Sequence, residues 1–190
     1  MIRIVIVYHS VMGHTEAIAR SIQAGAASVE GVEAVMVSVE QLGEPDDDQG
    51  GWTLLTDADA LVFGSPTFMG TVSAPFKAFM DLTGQIWFRR GWMDKLAAGF
   101  TVGGGLAGDK QSTLQAMHTF ASQHGMLWVS LGVGVNEEGI DRLSSSLGMM
   151  AQAENAPVAV TPPRDDHRTA EAFGRRIALA AARWGRGKAE

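Results

Sequence analysis

Short runs of apolar residues alternate along most of the chain with longer segments that are apolar on one side only. The runs are rich in valine and isoleucine and are bounded by glycine, proline or charged residues. This composition is typical of strands buried on both faces of a sheet. The pattern predicts strands at residues 2–8, 33–39, 60–64, 96–102 and 126–129.

Between these runs, apolar residues recur at intervals of three and four, as expected for one face of a helix. Thr15 opens the first such segment and Gly31 ends it. In the next, Ser73 can cap a helix and Pro75 stands in its first turn. The predicted helices lie at residues 15–30, 73–83, 111–123 and 166–184.

Strand and helix alternate about five times, which predicts an α/β fold with a parallel sheet and helices on both faces. Two further segments are predicted to be an exposed acidic loop, at residues 43–51, and an irregular insertion, at about 130–157. No repeat or linker divides the chain, so residues 1–190 are predicted to form a single domain. Ligands of such sheets bind outside the carboxyl ends of the strands, where residues 9–14, 66–72 and 103–110 form loops.

The composition excludes several classes of function. A net charge of −6 gives no general attraction for nucleic acid. The absence of cysteine excludes disulfides, thiolate catalysis and cysteine-based metal sites, and the histidines and acidic residues show no metal-site spacing, so we expect no metal. The amino terminus does not resemble a signal peptide and no apolar run is long enough to cross a bilayer, so we expect a cytoplasmic protein without a membrane span.

The first loop, Ser10-Val11-Met12-Gly13-His14-Thr15, combines hydroxyl residues, a glycine and the start of a helix. Backbone N–H groups at the positive end of a helix can hold a phosphate without any lysine or arginine. An ordinary turn between strand and helix explains the same residues equally well. The loop lacks the Gly-Lys-Ser/Thr ending that an ATP-binding P-loop requires.

The other two loops carry weaker signals. In residues 65–71, Phe68 and Met69 stand beside Gly70, where backbone can approach a flat ligand, although Phe68 could instead pack in the core. Residues 103–108 formally match the G-x-G-x-x-G pattern. They do not occupy the first strand-to-helix turn, and no acidic residue stands about 20 positions later, as a dinucleotide site requires. We interpret these glycines as flexible backbone that lines the same ligand.

Four segments, taken in order, carry a resemblance to a known family. They are Tyr8-His9-Ser10 with Gly13-His14, Phe63-Gly64-Ser65-Pro66-Thr67 with Gly70, Phe79-Met80-Asp81-Leu82-Thr83-Gly84 with Trp87, and His124-Gly125-Met126. Over residues 1–134 the chain resembles the flavodoxin superfamily and, more narrowly, its NAD(P)H:quinone oxidoreductases of the tryptophan-repressor-binding-protein (WrbA) type. The resemblance implies a three-layer α/β/α sandwich whose five-stranded parallel sheet has the order 2-1-3-4-5. It also implies a homo-oligomer, a dimer or tetramer, with active sites where subunits meet.

The resemblance further implies non-covalent FMN, with its phosphate in the first loop and its ring between the second and third loops. Carried over by position, the cofactor-binding residues are Ser10, Val11, Met12, Gly13, His14, Thr15, Pro66, Thr67, Phe68, Met69, Gly70, Thr101, Val102, Gly103, Gly104, Gly105, Leu106, Ala107 and His124. His124 is also the implied catalytic residue, although it could equally cap the preceding helix. Trp87 and Phe68 are the implied substrate contacts.

The chain departs from the family pattern at two places. Met12 stands where the family usually has tyrosine, which puts stacking on a nicotinamide in doubt more than FMN binding. Val102, Gly103 and Gly105 replace hydroxyl residues, so backbone groups must supply the corresponding hydrogen bonds or those bonds are absent. Trp87, Phe88 and Trp92 are expected in an exposed loop, as an interface or a lid.

These observations lead to one main hypothesis and one alternative. The main hypothesis is an FMN-dependent oxidoreductase that passes two electrons from NADH or NADPH through the flavin to a quinone-like acceptor. The alternative is a flavodoxin-like, FMN-binding electron carrier with no small-molecule turnover.

Overall fold

Four long strands and several shorter elements make up the fold of the computed structural model, which describes residues 1–45, 51–134 and 140–187. The strands are β1 (Ile2–Tyr8), β2 (Val32–Ser38), β3 (Ala60–Phe68), β4 (Thr71–Val72), β5 (Leu96–Gly103), β6 (Leu127–Trp128) and β7 (Met149–Gln152). The helices are α1 (His14–Ala27), α2 (Gly51–Asp57), α3 (Ala74–Leu82), α4 (Gly84–Phe88), α5 (Lys110–Gln123) and α6 (Arg164–Gly187). The predicted acidic loop at 43–51 lies partly outside the described residues.

The parallel strands run in the order β2-β1-β3-β5, with β6 and β7 following one another along the free edge of β5. Strand β6 pairs with Leu96 and Ala97, and β7 pairs with the segment from Phe100 to Gly103. Taken together, β6 and β7 occupy the fifth position, so the predicted order 2-1-3-4-5 is confirmed. The short strand β4 pairs antiparallel to the end of β3.

The fifth strand differs from the prediction. The run at 126–129 forms only a two-residue strand, and β7 comes from the segment 130–157 that was predicted to be irregular. In β7, Met149 and Ala151 are fully buried, whereas Met150 and Gln152 are partly exposed. Alternating burial is typical of a strand, but a pattern of four residues is too short to predict a strand from sequence. Its pairing with β5 identifies it in the structure.

Two apolar layers cover the sheet. On one face, α1 and α6 contribute Ile18, Ile22, Phe173 and Ile177 to a buried cluster. On the other face, α2, α3 and α5 enclose an aromatic cluster, which includes Trp52, Phe76, Phe79, Trp92 and Phe120. The three-layer sandwich expected from the resemblance is therefore present. In the described ranges no helix is both long and apolar enough to cross a bilayer.

Helices α1 and α6 pack with their backbones in close approach, and two glycines permit it. A Cβ atom at Gly174 would lie 2.0 Å from the carbonyl oxygen of Ile22, and one at Gly25 would lie 1.9 Å from that of Glu171. Because backbone atoms block both positions, neither can accept a side chain unless the helices move apart.

We expect Gly174→Ala to lower the free energy of unfolding by about 2–3 kcal/mol, because overpacking a tight contact typically costs about 1–3 kcal/mol. Gly187→Ala is the matched control, since a Cβ atom there meets no atom within 4 Å. Urea titration of both variants measures the difference. An unchanged urea midpoint in Gly174→Ala would show that α6 can move away from α1 without loss of stability.

Candidate functional site

Four loops at the carboxyl edge of the sheet enclose a cavity of about 240 Å³, which we call the edge cleft. Three of them are the loops after β1, β3 and β5 that the sequence singled out. The fourth follows β7 and was not predicted. The cleft is lined by Ser10, Val11, Met12, His14, Thr15, Pro66, Thr67, Phe68, Val102, Gly103, Gly104, Ala153, Glu154 and Asn155.

The first loop ends in a helix start that leaves donors for a ligand. Gly13 adopts a left-handed conformation, with φ of 85°, and α1 begins at the next residue. The N–H of Glu16 donates to Ser10 Oγ at 3.2 Å. The N–H groups of His14 and Thr15, both of which line the cleft, are the kind that a helix leaves without an internal acceptor. Among the described residues no lysine or arginine lines the cleft, so neutral donors and the helix dipole would hold an anion there.

Hydroxyl groups fix the second loop to the third. Thr67 Oγ1 lies 2.8 Å from the hydroxyls of both Thr101 and Thr113, and Thr101 Oγ1 donates to the carbonyl oxygen of Ser65 at 2.7 Å. Thr101 is fully buried and does not line the cleft. It therefore holds the wall residue Thr67 from beneath, and its predicted contact with a cofactor stays a prediction.

A buried polar chain joins the second loop to the end of β1. His9 Nδ1 lies 2.7 Å from Ser73 Oγ, and its Nε2 lies 3.2 Å from Glu40 Oε1. Ser65 Oγ accepts the N–H of Ser73 at 2.9 Å. Ser73 was expected to cap α3 with its side chain, but its hydroxyl bonds His9 and makes no cap hydrogen bond. These hydrogen-bonded side chains fix both ends of the 66–72 loop.

The fourth loop closes the cleft on the side of the first. The N–H of Ala153 donates to Gly103 O at 3.1 Å, and His14 Nε2 lies 2.9 Å from Ala156 O. Glu154 and Asn155 thereby face the same cleft as Ser10. Sequence reasoning missed these residues because their position depends on the pairing of β7 with β5. The sequence signal was the short alternation of Met149 to Gln152, followed by Pro157 at a turn.

Several residues predicted to bind the cofactor do not line the cleft of the single chain. Gly13 shapes the helix start, and Thr101 lies beneath the wall. Met69 and Gly70, both with positive φ (48° and 79°), do not line the cleft either. Gly105, Leu106 and Ala107 belong to the exposed outer part of the third loop. Met69 and Leu106 are strongly exposed large apolar residues on the second and third loops.

The structure does not bring His124 or Trp87 to the edge cleft; both line a separate depression. His124 is 5% exposed, and its Nε2 lies 2.9 Å from Thr83 Oγ1. It packs against Trp92, which is fully buried and not in an exposed loop as expected. Trp87 and Phe88, by contrast, are 52% and 77% exposed. Within one chain, His124 therefore supplies no proton to the cleft, and the expected homo-oligomer remains a prediction.

Burial lowers the pKa of the His124 imidazole to about 4, so the ring is neutral at pH 7. In the unfolded chain the ring takes up its proton near its ordinary pKa of about 6.5. Between these two values the unfolded state binds more protons, so stability falls as the pH falls.

We expect acidification from about pH 6.5 to about pH 4 to cost about 3 kcal/mol through His124, since one pKa unit corresponds to about 1.4 kcal/mol. The measurement is urea unfolding at a series of pH values, with His124→Gln as the variant that lacks this contribution. NMR titration of the ring in the folded protein gives the pKa directly. A folded-state pKa near 6.5 would contradict the assignment.

The fold defines a flavodoxin-like α/β protein, with a cleft at the carboxyl edge of its sheet. The family model for NADPH-dependent FMN reductase matches residues 2–139. The chain therefore belongs to the NADPH-dependent FMN reductase family, and this membership supports FMN as the cofactor.

Similar proteins agree with this family. A protein named flavodoxin FldP, from Pseudomonas aeruginosa (strain UCBPP-PA14), is 38% identical over 184 residues, which is 94% of this chain and 96% of that protein. The crystal structure of a WrbA-like flavodoxin from Agrobacterium tumefaciens is 36% identical, with a TM-score of 0.76 over 96% of this chain and 99% of that one. The resemblance inferred from the four sequence segments is thus confirmed. A flavodoxin from the Archaea, 20% identical with a TM-score of 0.67 over 95% of this chain and 99% of that one, shares the fold.

Proposed function

We propose that the protein is an FMN-dependent oxidoreductase that takes electrons from NADH or NADPH and passes them to a quinone-like acceptor. The observation that carries the proposal is the edge cleft, which combines a cation-free helix start with apolar walls. Family membership supports the same cofactor. When bound, FMN supplies the hydride-accepting and two-electron chemistry, and the protein supplies position and access.

The residues of the first loop fit a phosphate dianion. Gly13 leaves the helix start, the proposed phosphate cradle, without a side chain, and a Cβ atom there would lie 3.0 Å from Val158 Cγ2. The cleft beside it is lined by Ser10 and Thr15, which carry hydroxyl groups. Ser10 already holds the N–H of Glu16, which fixes the loop before a ligand arrives. This preorganisation reduces the entropy that binding must overcome.

The walls of the cleft fit a flat ring. Pro66 and Val102 are paired across β3 and β5, and Phe68, Gly103 and Gly104 line the cleft beyond them. The hydroxyl contacts of Thr67 with Thr101 and Thr113 fix the second loop in place. A mostly apolar slot with backbone groups at its edge suits a heterocycle whose rim forms hydrogen bonds.

Exposed apolar side chains on the loops around the cleft are consistent with a small, flat, apolar acceptor. Val11, Met12, Phe68, Met69 and Leu106 are all exposed around the first three loops. Soluble proteins rarely leave large apolar side chains grouped in this way unless the surface binds something. A quinone or a nicotinamide ring presents a flat face that such side chains can cover.

The alternative, an electron carrier, is favoured by the name of the relative from Pseudomonas aeruginosa, flavodoxin FldP. A carrier exchanges electrons with a protein partner and has no small-molecule turnover. The two functions share FMN binding and differ in whether NADH or NADPH reduces the bound flavin.

The decisive experiment is anaerobic mixing of the FMN-loaded protein with NADH and, separately, with NADPH. We expect the flavin absorbance to bleach with at least one nucleotide and to return when a benzoquinone is added. Free FMN without the protein serves as the reference for the uncatalysed rate. A flavin that neither nucleotide bleaches would favour the carrier, and a protein that retains no FMN in gel filtration would exclude both functions.

The cradle can be tested with two variants at Gly13. Both Gly13→Asn and Gly13→Asp place a side chain where φ is positive, a conformation that asparagine and aspartate tolerate better than most residues. Only aspartate adds a charge. Two unit charges about 4 Å apart interact by about 4 kcal/mol at an effective dielectric constant of about 20.

We therefore expect Gly13→Asp to weaken FMN binding at least about a hundredfold relative to Gly13→Asn. Fluorescence titration of FMN measures both affinities, and riboflavin, which lacks the phosphate, is the control ligand. Riboflavin binding should differ little between the two variants. Equal affinities of the two variants for FMN would place the phosphate elsewhere.

A further inference from the structure

Lys110 is a fully buried lysine that the proposed mechanism has not used. It is 0% exposed, and its Nζ donates to the carbonyl oxygen of Gly105 at 2.5 Å. Its aliphatic stem passes close to Gly103: a Cβ atom there would lie 3.3 Å from the Lys110 Cγ. Gly103 is part of the cleft wall. The ammonium group thus lies directly behind the third loop.

The position is unfavourable for a cation in three respects. Burial lowers the pKa of Lys110, because it disfavours the charged amine. Lys110 is the first residue of α5, where the helix dipole repels positive charge. Among the described residues no carboxylate lies within 4.0 Å of its amine.

Two charged groups act on Lys110 in opposite directions. Asp166 favours the charged form of Lys110, and Arg142 opposes it. These two side chains are paired to each other, with Arg142 Nε 2.6 Å from Asp166 Oδ1. Asp166 also accepts the N–H of Gln152 at 2.7 Å, so its carboxylate is already fully engaged. The charge of Lys110 therefore has no dedicated partner in the described part of the chain.

A buried charge that the fold itself does not compensate indicates a functional group. The phosphate cradle lies in the first loop, whereas Lys110 lies behind the third. A negative charge beside the third loop would come from the ring portion of the ligand. Reduced flavin is acidic enough to carry such a charge near neutral pH, whereas the oxidised ring is neutral.

We propose that Lys110 is an electrostatic positioning residue, whose ammonium stabilises the reduced, anionic flavin through the third loop and raises its reduction potential. This inference rests on the proposed FMN binding. The positive charge acts across the loop and without contact, so it favours one redox form of the ligand over the other. Such a bias suits a protein that accepts hydride more than one that donates electrons at low potential.

The test compares Lys110→Met and Lys110→Gln with the wild-type protein. Both variants remove the charge, and the glutamine variant would keep a donor for the Gly105 carbonyl. Lys77→Met is the matched control, since Lys77 is exposed on α3 and paired with Asp81. The potential of bound FMN and the affinity for oxidised FMN are measured for each, together with the thermal unfolding midpoint of the FMN-free protein.

For both Lys110 variants we expect the affinity for reduced FMN to fall at least about tenfold relative to that for oxidised FMN, which for a two-electron couple lowers the potential by about 30 mV. The thermal midpoint of Lys110→Met should rise, because a desolvated charge is removed. Lys77→Met should change neither the potential of bound FMN nor the thermal midpoint.

Three results would overturn the proposal while leaving FMN binding intact. The potential could stay unchanged in both Lys110 variants. Lys110→Gln could match the wild-type protein while Lys110→Met does not, which would assign Lys110 to the shape of the loop. A lower thermal midpoint in Lys110→Met would show that the ammonium stabilises the folded protein. Failure of the wild-type protein to bind FMN would instead refute the proposed function.

Discussion

The parallel pairing of β5 with β7 is the contact on which the geometry of the cleft depends. Its register sets Gly103 opposite Gln152, so the loops that follow the two strands leave the sheet side by side. The hydrogen bond from Ala153 to Gly103 continues this pairing beyond the strand. Without it the cleft would lose the wall formed by Ala153, Glu154 and Asn155.

That pairing is itself maintained by a charged network on the other side of β7. Asp166, at the start of α6, accepts hydrogen bonds from Arg142 and from the backbone of Gln152. The side chain of Gln152 in turn donates to Gly104 O at 3.2 Å. A buried ion pair contributes little net stability, so the importance of this one lies in the segments that it joins. Here it fixes the 140–166 segment to the third loop, and so it couples the inserted chain to the site.

Much of this architecture follows from local sequence. The run from Ile2 to Tyr8 is continuous enough to define β1 with the bounds seen in the structure, and the glycine before α1 marks the cradle. The missed elements α2, α4 and β7 are short. In α2 and β7 the fold buries apolar side chains, Trp52 and Leu55 in the helix and Met149 and Ala151 in the strand, whereas α4 has no buried residue. The polar contacts were also unpredictable, because Ser73 and His9 are 64 positions apart and only the fold makes them adjacent. From the sequence, Lys110 is an ordinary residue at the end of the 103–110 loop, and only the structure shows that it is buried.

The placement of charge around the cleft separates the two functions in physical terms. A carrier that donates electrons at low potential gains from acidic surroundings, since like charges destabilise the reduced flavin. An enzyme that collects hydride gains from the opposite arrangement. The chain as a whole is acidic, at −6, yet the described cleft has one carboxylate, Glu154, at its edge and one buried ammonium, Lys110, behind its wall. The loops around it expose large apolar side chains. Because a buried charge is less screened than an exposed one, the proposed role of Lys110 is the charge argument that supports the proposed enzyme over the carrier.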